Sequence, residues 1–316
     1  MQARKRAERP SSPKRVSHER LTLPLKGPGG EPIDLRRTLC SHGFVDLAPS
    51  VPDADYRGMT TTLALRGGAR TIHFSETSPG TLTIDVTGPR AGVATRAEIV
   101  HAVHAMLALD DDLSHFYALL AGDPMLEWAT KGAGRLYRSP TAFEEVIKTI
   151  LTTNCAWSAT IRMNNALVQH LGAVAPGGAH AFPTPQAMAE APLSFYKDVV
   201  RAGYRGPYLR SLASSVANGE IDLEAMRAAD RTRLDDEALE MQLRALPGVG
   251  PYAAAHIMML FGRRHRLVLD SATRPRYARL SGRKAKDSTI IRKFARYRTD
   301  AGLAFWLYIT RHWIEE

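Results

Sequence analysis

A chain of 316 residues with 44% hydrophobic and 23% charged residues is long enough for two domains or one large one, and its composition excludes a fibre or a chain disordered throughout. No apolar run reaches the about 20 residues that cross a bilayer, so a soluble protein is expected. The formal charge of +10 favours a polyanionic partner but fits an ordinary basic surface equally well.

Residues 1–20 carry Arg4, Lys5, Arg6, Arg9, Lys14 and Arg15 without the apolar core of a signal peptide. A disordered basic tail is expected there, either touching phosphates nonspecifically or without function. From residue 21 to about 88 the pattern is strand-like, and residues 71–74 and 82–86 alternate apolar and polar side chains between Gly and Pro punctuation. This predicts a half-buried antiparallel sheet. Thr95 and Glu98 have the spacing of a capping box, and Ile99, Val103, Met106 and Leu107 then form the apolar face of a helix that would cover the sheet. Residues 21–110 are therefore read as a small sheet-plus-helix domain.

Beyond residue 110 the strand pattern ends, and residues 111–316 read as mainly helical. The fold class is thus α+β. Ser139-Pro140 resembles an N-cap with a first-turn proline, ahead of Phe143, Val146, Ile147, Ile150 and Leu151 at helical spacing. Thr152, Thr153 and Asn154 interrupt that helix, and the next is expected from Ser158. Cys40 and Cys155 stand far apart with no CxxC spacing, which argues against structural zinc, an iron-sulfur cluster or a disulfide and for a reducing cytoplasm. Cys155 is read as a buried thiol. His256 and His265 lack metal-ligand partners at useful spacing, so no catalytic metal is expected.

The most informative segment is Leu246-Pro247-Gly248-Val249-Gly250-Pro251-Tyr252, flanked by helical runs so that residues 237–262 form a helix-hairpin-helix. Gly248 and Gly250 permit positive φ, and with Val249 they offer backbone N–H groups to an approaching phosphate. A helix starting at Pro251 aims its positive end at the same anion. Downstream, the apolar Leu267, Val268 and Leu269 deliver Asp270 to an expected helix start, eighteen residues after Tyr252. As a plain N-cap, Asp270 would satisfy free N–H groups; the two roles are compatible.

The hairpin with an aspartate at this distance resembles the helix-hairpin-helix DNA glycosylase superfamily, and the resemblance is closest between residues 143 and 279. The preceding sheet domain is similar to the organisation of the bacterial inducible 3-methyladenine glycosylases. Thr152-Thr153-Asn154 and Gly203-Tyr204-Arg205-Gly206-Pro207-Tyr208 are instead similar to segments of the 8-oxoguanine glycosylases. The resemblance implies a helix-hairpin-helix glycosylase fold with Asp270 catalytic, Gly248, Val249 and Gly250 on the DNA backbone, and Asn154, Tyr204 and Arg205 filling and wedging the gap left by a flipped base. A helix cap for Asn154 and a half-buried ring for Tyr204 are the plainer alternatives.

In bifunctional members of that superfamily a lysine stands where this chain has Tyr252, and its amine forms a Schiff base with the sugar. A phenol forms none, so the resemblance implies a monofunctional enzyme. Tyr252 would stack on the extruded base or pack beside it. Of Phe305, Trp306 and Trp313, more often core residues, Trp306 is the candidate for the base pocket. The expected substrate is an alkylated purine such as 3-methyladenine or 7-methylguanine. The alternatives are an oxidised purine, against which Tyr252 and Ala159 argue because 8-oxoguanine glycosylases have lysine and arginine there, and a non-catalytic module for distorted DNA. The expected partner is damaged double-stranded DNA, bound by a monomer in the cytoplasm with the nucleoid. No cofactor is expected beyond a monovalent cation that the superfamily's hairpin carbonyls can hold.

Overall fold

The computed structural model describes residues 17–313. Five strands, β1 (Ser17–Pro24), β2 (Val51–Pro52), β3 (Gly58–Leu63), β4 (Arg70–Ser78) and β5 (Thr81–Gly88), form one antiparallel sheet in the order β1-β5-β4-β3-β2. The strand β1 takes in residues 17–20, which the composition places in the basic tail; Arg4, Lys5, Arg6, Arg9, Lys14 and Arg15 lie outside the described residues. The register puts Ile84 opposite Phe74 and Phe74 opposite Met59, a row of fully buried side chains on one face. After the short α1 (Leu35–Leu39), helix α2 (Val93–Leu107) covers that face with the expected Ile99, Val103, Met106 and Leu107. It starts earlier than the capping-box spacing suggests. Gly92 is the N-cap, and Glu98 instead accepts the Arg66 N–H at 3.1 Å, tying the helix to the β3–β4 connection.

The helical region holds α3 (Ser114–Leu120), α4 (Ala142–Thr152), α5 (Trp157–Leu171), α6 (Pro185–Glu190), α7 (Arg205–Ala217), α8 (Leu223–Ala228), α9 (Asp236–Ala245), α10 (Pro251–Leu260), α11 (Thr273–Ser281), α12 (Asp287–Phe294) and α13 (Ala301–Thr310). It has two apolar cores. One gathers α4 to α9; the other gathers α3, residues 126–136 and α11 to α13. Helix α10 belongs to both, with Ala253, Ala254, Ile257 and Met258 in the first and Met259 and Leu260 in the second. A helix apolar all round is a buried one, and α10 is the wall that the two lobes share. Tyr252, at its N-terminal end, packs against both cores.

Helix α4 is capped by Thr141, whose hydroxyl accepts the Glu144 N–H, and not by Ser139. The Ser139 N–H donates to the buried Glu145 carboxylate at 2.6 Å, so Ser139 lies before the helix. Lys148, which nothing in the sequence marks as desolvated, is fully buried and paired with Glu144 at 2.6 Å one turn away. Among the described residues no helix is long and apolar enough to cross a membrane.

Candidate active site

The hairpin turn is closed by the Val249 N–H donating to Leu246 O at 3.1 Å. Val249 is therefore a turn and core residue, its N–H engaged and its side chain buried, and it offers nothing to a phosphate. Gly248 takes φ +82°, where a Cβ would also press on Tyr208 and Ile150. Gly250 does not use positive φ. It is extended at φ −91° and ψ −177°, and a Cβ there would meet nothing within 4 Å. Since Gly250 is the N-cap of α10 and no side chain among the described residues caps that helix, its positive end opens onto this free space.

Asp270 reaches the same region from the second lobe. Its Oδ1 accepts the N–H groups of Ala272 at 2.9 Å and Thr273 at 2.7 Å, while its own N–H donates to Thr273 Oγ1. These bonds fix the carboxylate at the start of α11 and leave Oδ2 without a hydrogen-bond partner among the described residues. Burial raises the pKa of the Tyr252 phenol, a hydrogen bond with Thr152 partly offsets this, and the charge of Asp270 raises it further. Tyr252, Asp270 and the C-terminal end of α4 thus meet at one place.

Thr152, Thr153 and Asn154 turn the chain between α4 and α5, with Asn154 at φ +47°. The exposed Asn154 donates from Nδ2 to the Tyr204 hydroxyl at 3.2 Å, which makes it a neighbour of Tyr204 and not a helix cap. The Tyr204 ring, 52% exposed, meets Tyr208 edge-on at 6.2 Å, and Tyr208 in turn flanks Gly248. The hairpin, Tyr208, Tyr204 and Asn154 accordingly form one continuous surface. Arg205 is not part of it. Its guanidinium is buried, donates to the Thr153 carbonyl and stacks on Tyr204 at 4.6 Å. It positions the Thr153–Asn154 turn from behind.

Trp306 is buried, its Nε1–H donating to Ser41 O at 2.8 Å. It meets His256 at 6.3 Å, and His256 stacks on Tyr252 at 6.2 Å. Sequence reasoning missed this histidine as a site residue, although it lies one helical turn after Tyr252 on the same face of α10. His42 and Phe44, from a 3-10 turn at Gly43–Asp46, complete the aromatic cluster at 5.8 and 5.4 Å from His256. No local signal marks them. Trp157, 40% exposed at the start of α5, packs on Gly43 of that turn. Cys155 is half-buried and free, as is Cys40.

Burial lowers the pKa of His256 to about 4, and burial followed by the charge of His256 lowers that of His42 to about 3. Both are neutral when folded and charged below about 6.5 when unfolded, so their contribution to stability is present above pH 6.5 and lost as pH falls toward 4. His256→Phe should shrink the drop in Tm between pH 7 and pH 4.5 by on the order of 5 °C. Glu145, pushed up to about 7 by burial, acts in the opposite sense but cancels when variant and parent are compared. An unchanged drop would mean that His256 is already protonated in the fold.

An apolar cavity of about 290 Å³ between Leu63, Leu65, Phe143 and Phe182 is separate from this site. It borders the N-terminal end of α4, whereas Thr152 ends that helix about 14 Å away at 1.5 Å per residue. Among the described residues no group of three or more His, Cys, Asp or Glu could hold a metal ion.

No family model matches the chain. It is 25% identical over 169 residues to a curated DNA-3-methyladenine glycosylase of Bacillus subtilis, covering 52% of this chain and 54% of that protein; the chain thus spans about half the length of the curated relative it matches. Among solved structures, a 3-methyladenine DNA glycosylase from Archaeoglobus fulgidus superposes with a TM-score of 0.70 at 18% identity, over 92% of this chain and 98% of that one. The apo 8-oxoguanine glycosylase/lyase of Clostridium acetobutylicum gives 0.67 at 18% identity, over 93% and 98%.

Proposed function

We propose, for a chain that carries the helix-hairpin-helix glycosylase fold, that it is a monofunctional DNA glycosylase which flips out an alkylated purine and hydrolyses its glycosidic bond. The observation that supports this most is the Asp270 carboxylate, tied by one oxygen and open at the other, beside a phenol in the place of a Schiff-base lysine. A base stacked in a duplex is out of reach, so the nucleotide must leave the stack. Asn154 and Tyr204, exposed and hydrogen-bonded to each other, would occupy the gap. An alkylated purine carries positive charge, which the ring faces beside Tyr252 attract. As the bond breaks, positive charge passes to the sugar, where Asp270 stabilises it and orients the attacking water.

The carbonyls of Pro247, Gly248 and Val249 accept no hydrogen bond among the described residues. They suit a monovalent cation, which would add positive charge at the hairpin; no organic cofactor is invoked. The enzyme would act as a monomer on nucleoid DNA. Excision of an oxidised purine is the second reading, favoured by the Asn154–Tyr204 pair and opposed by Tyr252 and Ala159. Incubation with methylated genomic DNA, with released bases identified by mass spectrometry, tests the proposal. Free 3-methyladenine and 7-methylguanine are expected, and release of 8-oxoguanine alone from oxidised DNA would replace it with the second reading.

Gly250→Val tests the hairpin separately. Valine adopts the backbone of Gly250 without strain, so the fold should be unaffected, but its methyl groups would fill the space in front of α10. Loss of a charge-assisted contact should weaken binding to damaged and undamaged duplex alike by about tenfold or more. A loss confined to damaged DNA would move the hairpin from backbone anchoring to base recognition.

A further inference from the structure

We propose that the outer surface of α11 and α12 is a second DNA track that holds phosphates of the duplex flanking the flipped nucleotide. The inference rests on the reading of the chain as one that acts on DNA. Residues 271–299 contain ten lysines and arginines and a single acid, Asp287. That acid is engaged by Arg274 through two bonds of 2.9 Å. Nearly all of the chain's excess charge therefore equals that of one short segment, and the segment starts beside Asp270.

The placement is specific. Thr273 and Tyr277 turn inward on α11, so Ala272, Arg276 and Arg279 recur along its other side. With Pro275 they line an open concavity of about 320 Å³, continuous with the Asp270 turn through Ala272. Stacking of the Arg276 guanidinium on Trp313 at 4.6 Å fixes that charge at the edge. Past the end of the helix, Arg283, Arg292 and Lys293 line a second concavity of about 480 Å³ together with the hydroxyl residues Ser281 and Thr289, with no acid in its wall. Helix α11 is about 13 Å long at 1.5 Å per residue, which matches about four base pairs at 3.4 Å each. A row of cations of this length, leading away from Asp270, suits a repeating polyanion better than a single small anion.

The test is a triple variant, Arg279→Ser, Arg283→Ser and Arg292→Ser, at three exposed positions that line the two concavities; an unchanged thermal midpoint shows that it folds. Binding is followed by fluorescence anisotropy on a duplex of about 25 base pairs with a central tetrahydrofuran abasic analogue, across a series of salt concentrations. The slope of log K against log salt should be shallower in the variant by about 2 to 3, since each phosphate contact contributes about 0.9. Cutting the duplex to three base pairs on one side of the analogue should abolish the difference between variant and parent, and the same cut on the other side should leave it. Equal slopes, or a difference that survives both cuts, would overturn the proposal. If the slopes differ as expected while the parent releases no base from any DNA, the track stands and the glycosylase reading fails.

Discussion

Asp270→Asn is expected to bind damaged duplex as the parent does and to release the base on the order of 10³-fold more slowly. The asparagine carbonyl oxygen can accept the Ala272 and Thr273 N–H groups that Oδ1 accepts now. The Asp270 N–H bond to Thr273 Oγ1 involves only the backbone at position 270, so the turn into α11 keeps its shape. What disappears is the negative charge. That charge matters little for docking a duplex, itself a polyanion, but it opposes the cation that forms on the sugar in the transition state. Anisotropy and single-turnover base release measured on one damaged duplex separate the two effects. Equal rates would remove Asp270 from the mechanism, and a parallel loss of binding would make it a structural cap.

The wild-type protein should not be trapped on DNA by borohydride, and the strand it leaves should break only after alkali. Borohydride captures an imine, and an imine requires a neutral amine next to the sugar carbon. Tyr252 presents a phenol there, half-buried and bonded to Thr152. Lys148 lies one turn before Thr152 on α4, but it is sealed from solvent and held by Glu144 at 2.6 Å, so its amine has no path to a sugar. Lys197, in the turn Phe195–Val199, is exposed to solvent and stands apart from the hairpin position beside Asp270. Denaturing gels after borohydride treatment give the answer. A covalent band would mean that another lysine has taken the catalytic part, and it would favour the oxidised-purine reading.

The sheet and its covering helix are legible in the sequence because each buries one face, which leaves a period of two in β4 and β5 and a period near 3.6 in α2. The start of α2 is not legible, since Glu98 is claimed by the distant Arg66 backbone and so cannot serve its own helix end. The split of the helical region into two lobes is hidden for a related reason. Helix α10 is apolar on every side, and periodicity does not tell which side meets which core. That Tyr252 and Asp270 come together is foreshadowed by their places relative to the hairpin, whereas Asn154 stands out only through the family resemblance. The buried state of Arg205 and Lys148 is not, as arginine and lysine are ordinarily at the surface and only a tertiary partner, the Thr153 carbonyl or the Glu144 carboxylate, reverses that. His42 and Phe44 reach α10 from more than 200 residues away in sequence, which no local pattern records.

In the proposed reaction Asp270 supports hydrolysis of one glycosidic bond without help from an amine. The most direct measurement is incubation of the parent protein with duplexes that each carry one modified base, followed by gels run with and without hot alkali. Cleavage at 3-methyladenine or 7-methylguanine that appears only after alkali is the predicted result. Release of no base from any duplex, or strand cleavage without alkali, would contradict it.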